Sequence, residues 1–111
     1  MKPSELFVEV VRNSDKLPQA VRLQAHEARG VEESRFDKSY IEFLDEQIRF
    51  SPRGPEWTEI LRRRRNGLHL YCDVPLVSGH IRTGRFDTWV KIDPKTRAVI
   101  FWEQLEYDNV A

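Results

Sequence analysis

Residues 68–107 read LHLYCDVPLVSGHIRTGRFDTWVKIDPKTRAVIFWEQLEY, and how this stretch pairs with itself decides the fold. Leu68, Leu70, Cys72, Val74 and Leu76 alternate with His69, Tyr71, Asp73, Pro75 and Val77. A period of two predicts a half-buried strand. Pro75 lacks the N–H that a ladder needs, which assigns this strand to an edge or to a strand end. Ser78-Gly79 then supplies a two-residue hairpin turn, because glycine tolerates positive φ.

A second strand follows from His80 to Ile92, and its parity changes partway. Ile81 and Thr83 are odd, whereas Phe86, Thr88, Val90 and Ile92 are even. A one-residue bulge at Gly84 would return both sets to one face. Asp93-Pro94-Lys95-Thr96-Arg97 reads as a turn, with Pro presetting φ and the Asp side chain capping it. The third strand spans Ala98 to Tyr107. Its more apolar set is Val99, Phe101, Leu105 and Tyr107, which is assigned to the core although Glu103 interrupts it. Ile100, Trp102 and Gln104 then face outward.

Upstream of this meander the chain reads as about four helices over residues 4–66. Ser4 is placed to cap the first, whose stripe is Leu6, Phe7, Val10 and Val11; Asn13-Ser14-Asp15 ends it. A second runs from Leu17 to Arg29 with Gly30 as its stop, and its thin stripe of Leu17, Val21, Ala25 and Ala28 suits the periphery. Ser34-Arg35-Phe36-Asp37 has the form of a capping box. It introduces the strongest helix, with Phe36, Tyr40, Phe43, Leu44 and Ile48 on one face. Ser51-Pro52-Arg53-Gly54-Pro55 breaks that helix. Pro55 opens a fourth, carrying Trp57, Ile60, Leu61 and Arg64, and Asn66-Gly67 closes it. The expectation is one α+β domain over residues 1–111, with the third and fourth helices packed on a three-stranded antiparallel meander at 68–107.

The composition is that of a folded chain: 40% hydrophobic and 32% charged over 111 residues. There is a single cysteine, so no internal disulfide framework exists and a reducing compartment is expected. Cys72 reads as a small buried hydrophobe. No apolar run approaches the ~18 residues of a membrane span, and Met-Lys-Pro-Ser-Glu has no secretory core. The cytoplasm is therefore the expected location. His69 and Cys72 fall on opposite strand faces, so neither a metal nor another cofactor is expected.

The formal net charge is zero, but the charges are segregated. Residues 1–48 carry 7 basic and 10 acidic side chains, residues 49–97 carry 11 and 5, and residues 98–111 carry 0 and 3. The basic middle holds a run of arginines, Arg62 to Arg65, where positive charge suits a helix C-terminus. A nucleic-acid surface would draw on Arg49, Arg53, Arg62, Arg63 and Arg65. The plainer reading of the run is a solvated helix end.

The outward sheet face is the candidate contact surface. Tyr71, Arg85, Asp87, Trp89, Lys91 and Trp102 would share it, a composition typical of binding hot spots. The same strand region contains His80, Arg82 and Arg85. A histidine between arginines has the parts for general acid–base work beside a phosphate, with Glu103 or Glu106 as its carboxylate partner. Helices followed by an antiparallel sheet with these residues on its strands resemble, in layout alone, the RelE and barnase type of small metal-independent ribonucleases. That likeness implies RNA cleavage as the alternative function, although layout does not establish activity. The first expectation is a small protein-interaction module, an adaptor, inhibitor or antidote. No catalytic residue is assigned to it, and a sheet edge remains open to homodimer pairing.

Overall fold

The computed structural model describes residues 1–36, 38–50 and 53–107. In chain order the elements are α1 (Pro3–Asn13), α2 (Gln19–Leu23), a 3₁₀ turn (Ala25–Glu27), β1 (Arg29–Ser34), α3 (Lys38–Phe50), α4 (Pro55–His69), β2 (Leu76–Thr83), β3 (Phe86–Asp93) and β4 (Ala98–Glu106). The architecture is α+β. Among the described residues, the four strands form one antiparallel sheet in the order β1-β2-β3-β4. No described helix is long and apolar enough to cross a membrane. The elements fall into two compact units, one built from residues 1–34 and 75 onward, the other from residues 35–74.

In the sheet unit, β2 and β3 are joined by Gly84-Arg85, with Thr83 opposite Phe86. Gly84 sits at φ 59°, the first central position where a type II′ hairpin turn favours glycine. Gly84 is thus a turn and not a bulge. Ile81 lies opposite Thr88, and Val77 opposite Ile92, so both apolar sets do share one face. Asp93 closes the next turn as expected: its Oδ1 accepts from the Lys95 N–H at 2.8 Å.

Helices α1 and α2 cover that face. Phe7, Val10 and Val11 from α1 join Leu17, Val21 and Ala25 against Val77, Ile81, Val90, Ile92 and Val99. The i, i+3, i+4 spacing of the α1 residues puts them on one stripe. The expectation that the third and fourth helices supply this core is therefore corrected, and the second helical segment is central, not peripheral. Pro3, not Ser4, opens α1, because the N1 position has no donor to lose. Phe7 is wholly buried, and its ring lies on Gly79. A Cβ at Gly79 would meet Val31 Cγ2 at 2.9 Å and Phe7 Cζ at 3.0 Å. Gly79 is in mid-strand, not in a turn.

Two further expectations change. The segment from Arg29 to Ser34 is a strand and not a helix end, pairing Glu33 with Val77 and Ser34 with Leu76. The meander gains a fourth strand, and β2 lies inside the sheet. The strand expected at Leu68 is absent. Helix α4 runs through Gly67 to His69, the chain turns through residues 70–75, and β2 begins at Leu76. Leu68 belongs to the buried row of α4 with Leu61, one heptad earlier.

In the helical unit, α3 buries Ile41 and Leu44, whereas Phe43 of the expected stripe is exposed. Arg65 Nε donates to Asp45 Oδ1 at 2.9 Å, tying α4 to α3. Phe36 bridges to Cys72, so Cys72 is a partly buried turn residue. The carboxyl half of the expected capping box, Asp37, and the breaker residues Ser51 and Pro52 lie outside the described residues.

Candidate functional site

The sheet face opposite α1 and α2 holds a tight side-chain group. Cross-strand pairing sets His80 opposite Trp89 and Arg82 opposite Asp87, and directly opposed residues share a face. The His80 and Trp89 rings stack with centroids 4.7 Å apart and planes 14° apart. Asp87 sits on the diagonal, and its Oδ1 is 3.0 Å from His80 Nδ1. A carboxylate only accepts, so Nδ1 is the donor in this contact. Asp87 is buried, the His80 side chain is 28% exposed, and Trp89 is 45% exposed.

Strand β1 makes room for this histidine. Arg29 is opposite His80 and Glu32 opposite Ser78, so β1 carries one extra residue in between. Gly30 lies in that bulge at φ 60°, where a Cβ would come within 3.3 Å of His80 Cδ2. Glycine relieves both the backbone and the contact.

The remaining expected residues divide. Lys91 shares the face, and its Nζ donates to Ser34 Oγ at 2.9 Å. Burial lowers the Lys91 pKa from its ordinary value, partly offset by the Glu32 carboxylate. Arg85 stands in the hairpin turn, paired with Glu106 at 3.0 Å. Arg82 is engaged by Gly84, whose carbonyl accepts from Nε at 2.9 Å, and by the Tyr107 ring 4.6 Å from Cζ.

Trp102 is on the other side of the sheet. The β3–β4 register slips between Lys91 and Ile92: Lys91 opposes Phe101, and Ile92 opposes Val99. Ile100 is the extra residue, and beyond it parity is reversed. Val99 faces the core as expected, but Trp102 then lies opposite Val90, and Phe101 and Leu105 turn to the Trp89 side. The expected pairing of Trp89 with Trp102 on one face is corrected. Tyr71 is also not on the sheet; it lies in the turn after α4, in the helical unit.

The arginines expected to form a nucleic-acid surface all belong to the helical unit. Arg63 pairs with Glu59 at 3.3 Å and Arg65 with Asp45 at 2.9 Å. Arg53 covers the Trp57 ring at 5.0 Å and Arg49 that of Phe50 at 6.0 Å, while Arg62 is exposed. His80, Arg82 and Arg85 belong to the sheet unit. Among the described residues, no group of three or more His, Cys, Asp or Glu side chains is placed to hold a metal ion.

Sequence reasoning missed Asp87 as the partner of His80 and looked to Glu103 and Glu106. The signal was present in Gly84-Arg85. Placing the hairpin there, and not at Ser78-Gly79, sets 80 opposite 89 and puts 87 on its diagonal. Comparison with known proteins adds no assignment: no protein-family model, no curated protein and no solved structure matches the chain.

Lys91 yields a pH prediction. Its folded pKa lies below the unfolded value of 10.5, so the unfolded chain binds the proton more tightly. This contribution raises stability as pH climbs through the folded pKa towards 10.5, and is absent below that window. Urea midpoints of wild type minus those of Lys91→Met should therefore rise as the pH is raised towards 10.5. A flat or falling difference would remove the burial account.

Proposed function

We propose that this chain is a small cytoplasmic protein-interaction module, of the adaptor, inhibitor or antidote kind, which docks its partner on the sheet face around Trp89. The observation that carries the reading is the half-exposed Trp89 ring stacked on a histidine that a buried carboxylate holds in place. A ring already immobilised loses little freedom on binding, and tryptophan is enriched where interfaces concentrate their energy. The face is balanced in charge by register: Arg29, Arg82 and Lys91 against Glu32, Asp87 and Glu103. A phosphate backbone favours an excess of positive charge, whereas a mosaic of both signs suits a protein surface.

Trp89→Ala should weaken capture of the wild-type protein's partner from its native host by about tenfold, or ~1.4 kcal/mol, with little change in urea midpoint. Leu23→Ala, which removes an exposed apolar side chain of α2, should leave capture intact. Equal effects of the two substitutions would refute the assignment. The pairing of His80 with Asp87 favours RNA cleavage as a second reading, in which Nε2 takes a proton from a ribose hydroxyl. Cleavage of a short RNA by wild type, lost in His80→Ala, would put that reading in place of the first.

A further inference from the structure

We infer that the free edge of β4 accepts an extended, basic segment of a partner protein as an additional strand. The two outer strands of the sheet differ in how they end it. β1 has the features that discourage pairing: six residues, a bulge, a left-handed Gly30, and charges at Arg29, Glu32 and Glu33. β4 is nine residues long and has its own extra residue at Ile100, but beyond it residues 101–106 keep a regular register, contain neither proline nor lysine and, among the described residues, pair only with β3. From Trp102 to Tyr107 its side chains are exposed on both faces, including Trp102, Leu105 and Tyr107.

The hydrogen-bonding groups available on that edge follow from the ladder. The Tyr107 N–H donates to the Arg85 carbonyl at 2.8 Å. Hydrogen-bonded positions alternate along an antiparallel pair, so Glu103, Leu105 and Tyr107 direct their main-chain groups to β3. Trp102, Gln104 and Glu106 then direct theirs away from the sheet. This is the array that an added strand uses, with main-chain bonds giving affinity and alternate side chains giving selectivity.

Charge selects the occupant. Residues 98–111 contain three acidic and no basic side chains; Glu103 is exposed on the Trp89 face, and Glu106, on the other, is shared with Arg85 of the hairpin turn. A second copy would bring the same acids to the same edge, whereas a segment carrying lysine or arginine meets them with opposite sign. The edge borders the Trp89 face, since Glu103 lies directly opposite Trp89, but the main-chain groups it offers do not depend on the reading given to that ring.

The test uses the full chain and a fluorescent seven-residue peptide alternating lysine and valine, with a glutamate–valine peptide as its counterpart. Saturable binding of the lysine peptide, absent for the glutamate peptide, is expected. Gln104→Pro removes one outward N–H at a position where an edge strand tolerates proline, and should weaken binding about tenfold. Two versions of the lysine peptide, N-methylated at its odd or at its even amides, probe the same bonds without altering the protein; one should lose binding and the other keep it. Three results would overturn the inference: no saturable binding of the lysine peptide, equal binding of both methylated peptides, or a wild-type dimer that Gln104→Pro converts to monomer.

Discussion

Phe7→Ala should lower the unfolding free energy of the sheet unit by about 3–5 kcal/mol, as expected for truncating a fully buried aromatic ring. Phe7 is wholly buried between α1 and the sheet, within one cluster that includes Val11, Val21, Ile81 and Val90. Deleting the ring removes apolar surface that was withdrawn from water and leaves a hollow over Gly79. The neighbours cannot close that hollow easily, because Gly79 has no side chain to move into it. Urea unfolding followed by tryptophan fluorescence reads the loss, since Trp89 and Trp102 report on the sheet. A loss below about 1 kcal/mol would mean that α1 is not seated as described.

Gly79→Ala tests the same contact from the other side, and the sign of the result is informative. In an unobstructed strand, replacing glycine with alanine stabilises by about 0.4–1 kcal/mol, chiefly by restricting the unfolded chain. Here the new methyl would lie 2.9 Å from Val31 Cγ2 and 3.0 Å from Phe7 Cζ. The expected outcome is instead destabilisation by about 1–3 kcal/mol, the usual penalty for overfilling a packed core. The two sites must also be coupled. In a Phe7→Leu background the alanine should cost less, with an interaction energy of about 0.5–3 kcal/mol. Strict additivity, or a stabilising Gly79→Ala, would show that the ring does not rest on the strand.

What the sequence revealed follows from where its local signals agreed with long-range pairing. The even set Phe86, Thr88, Val90, Ile92 and the odd set Ile81, Thr83 were legible as one face, because alternation is strong on both sides of Gly84. The α1 stripe was legible for the same reason, at helical spacing. The alternation at Leu68, Leu70 and Cys72 misled. Leu61 and Leu68 also recur at a helical interval, and α4 continues through Gly67 with the helix winning. Strand β1 left almost no trace, since Arg29, Gly30, Glu32 and Glu33 neither alternate nor favour a strand. Its existence depends on the partner that β2 offers. The candidate site was half legible: His80, Asp87, Trp89 and Lys91 were identified, but the relation between the first two required the correct turn. Trp102 was misplaced by the extra residue at Ile100, which neither glycine nor proline marks.

Ser34 and Leu76 stand opposite each other at the end of the β1–β2 ladder. Neighbouring antiparallel strands ordinarily need only about 2–5 residues to join them. This chain instead departs at residue 35 and returns at residue 74, and the detour has its own buried row in Ile41, Leu44, Leu61 and Leu68. Strand connectivity therefore does not dictate its length. The excursion is an insert between two points that already meet, and its origin and end coincide on the ladder whatever its helices contain.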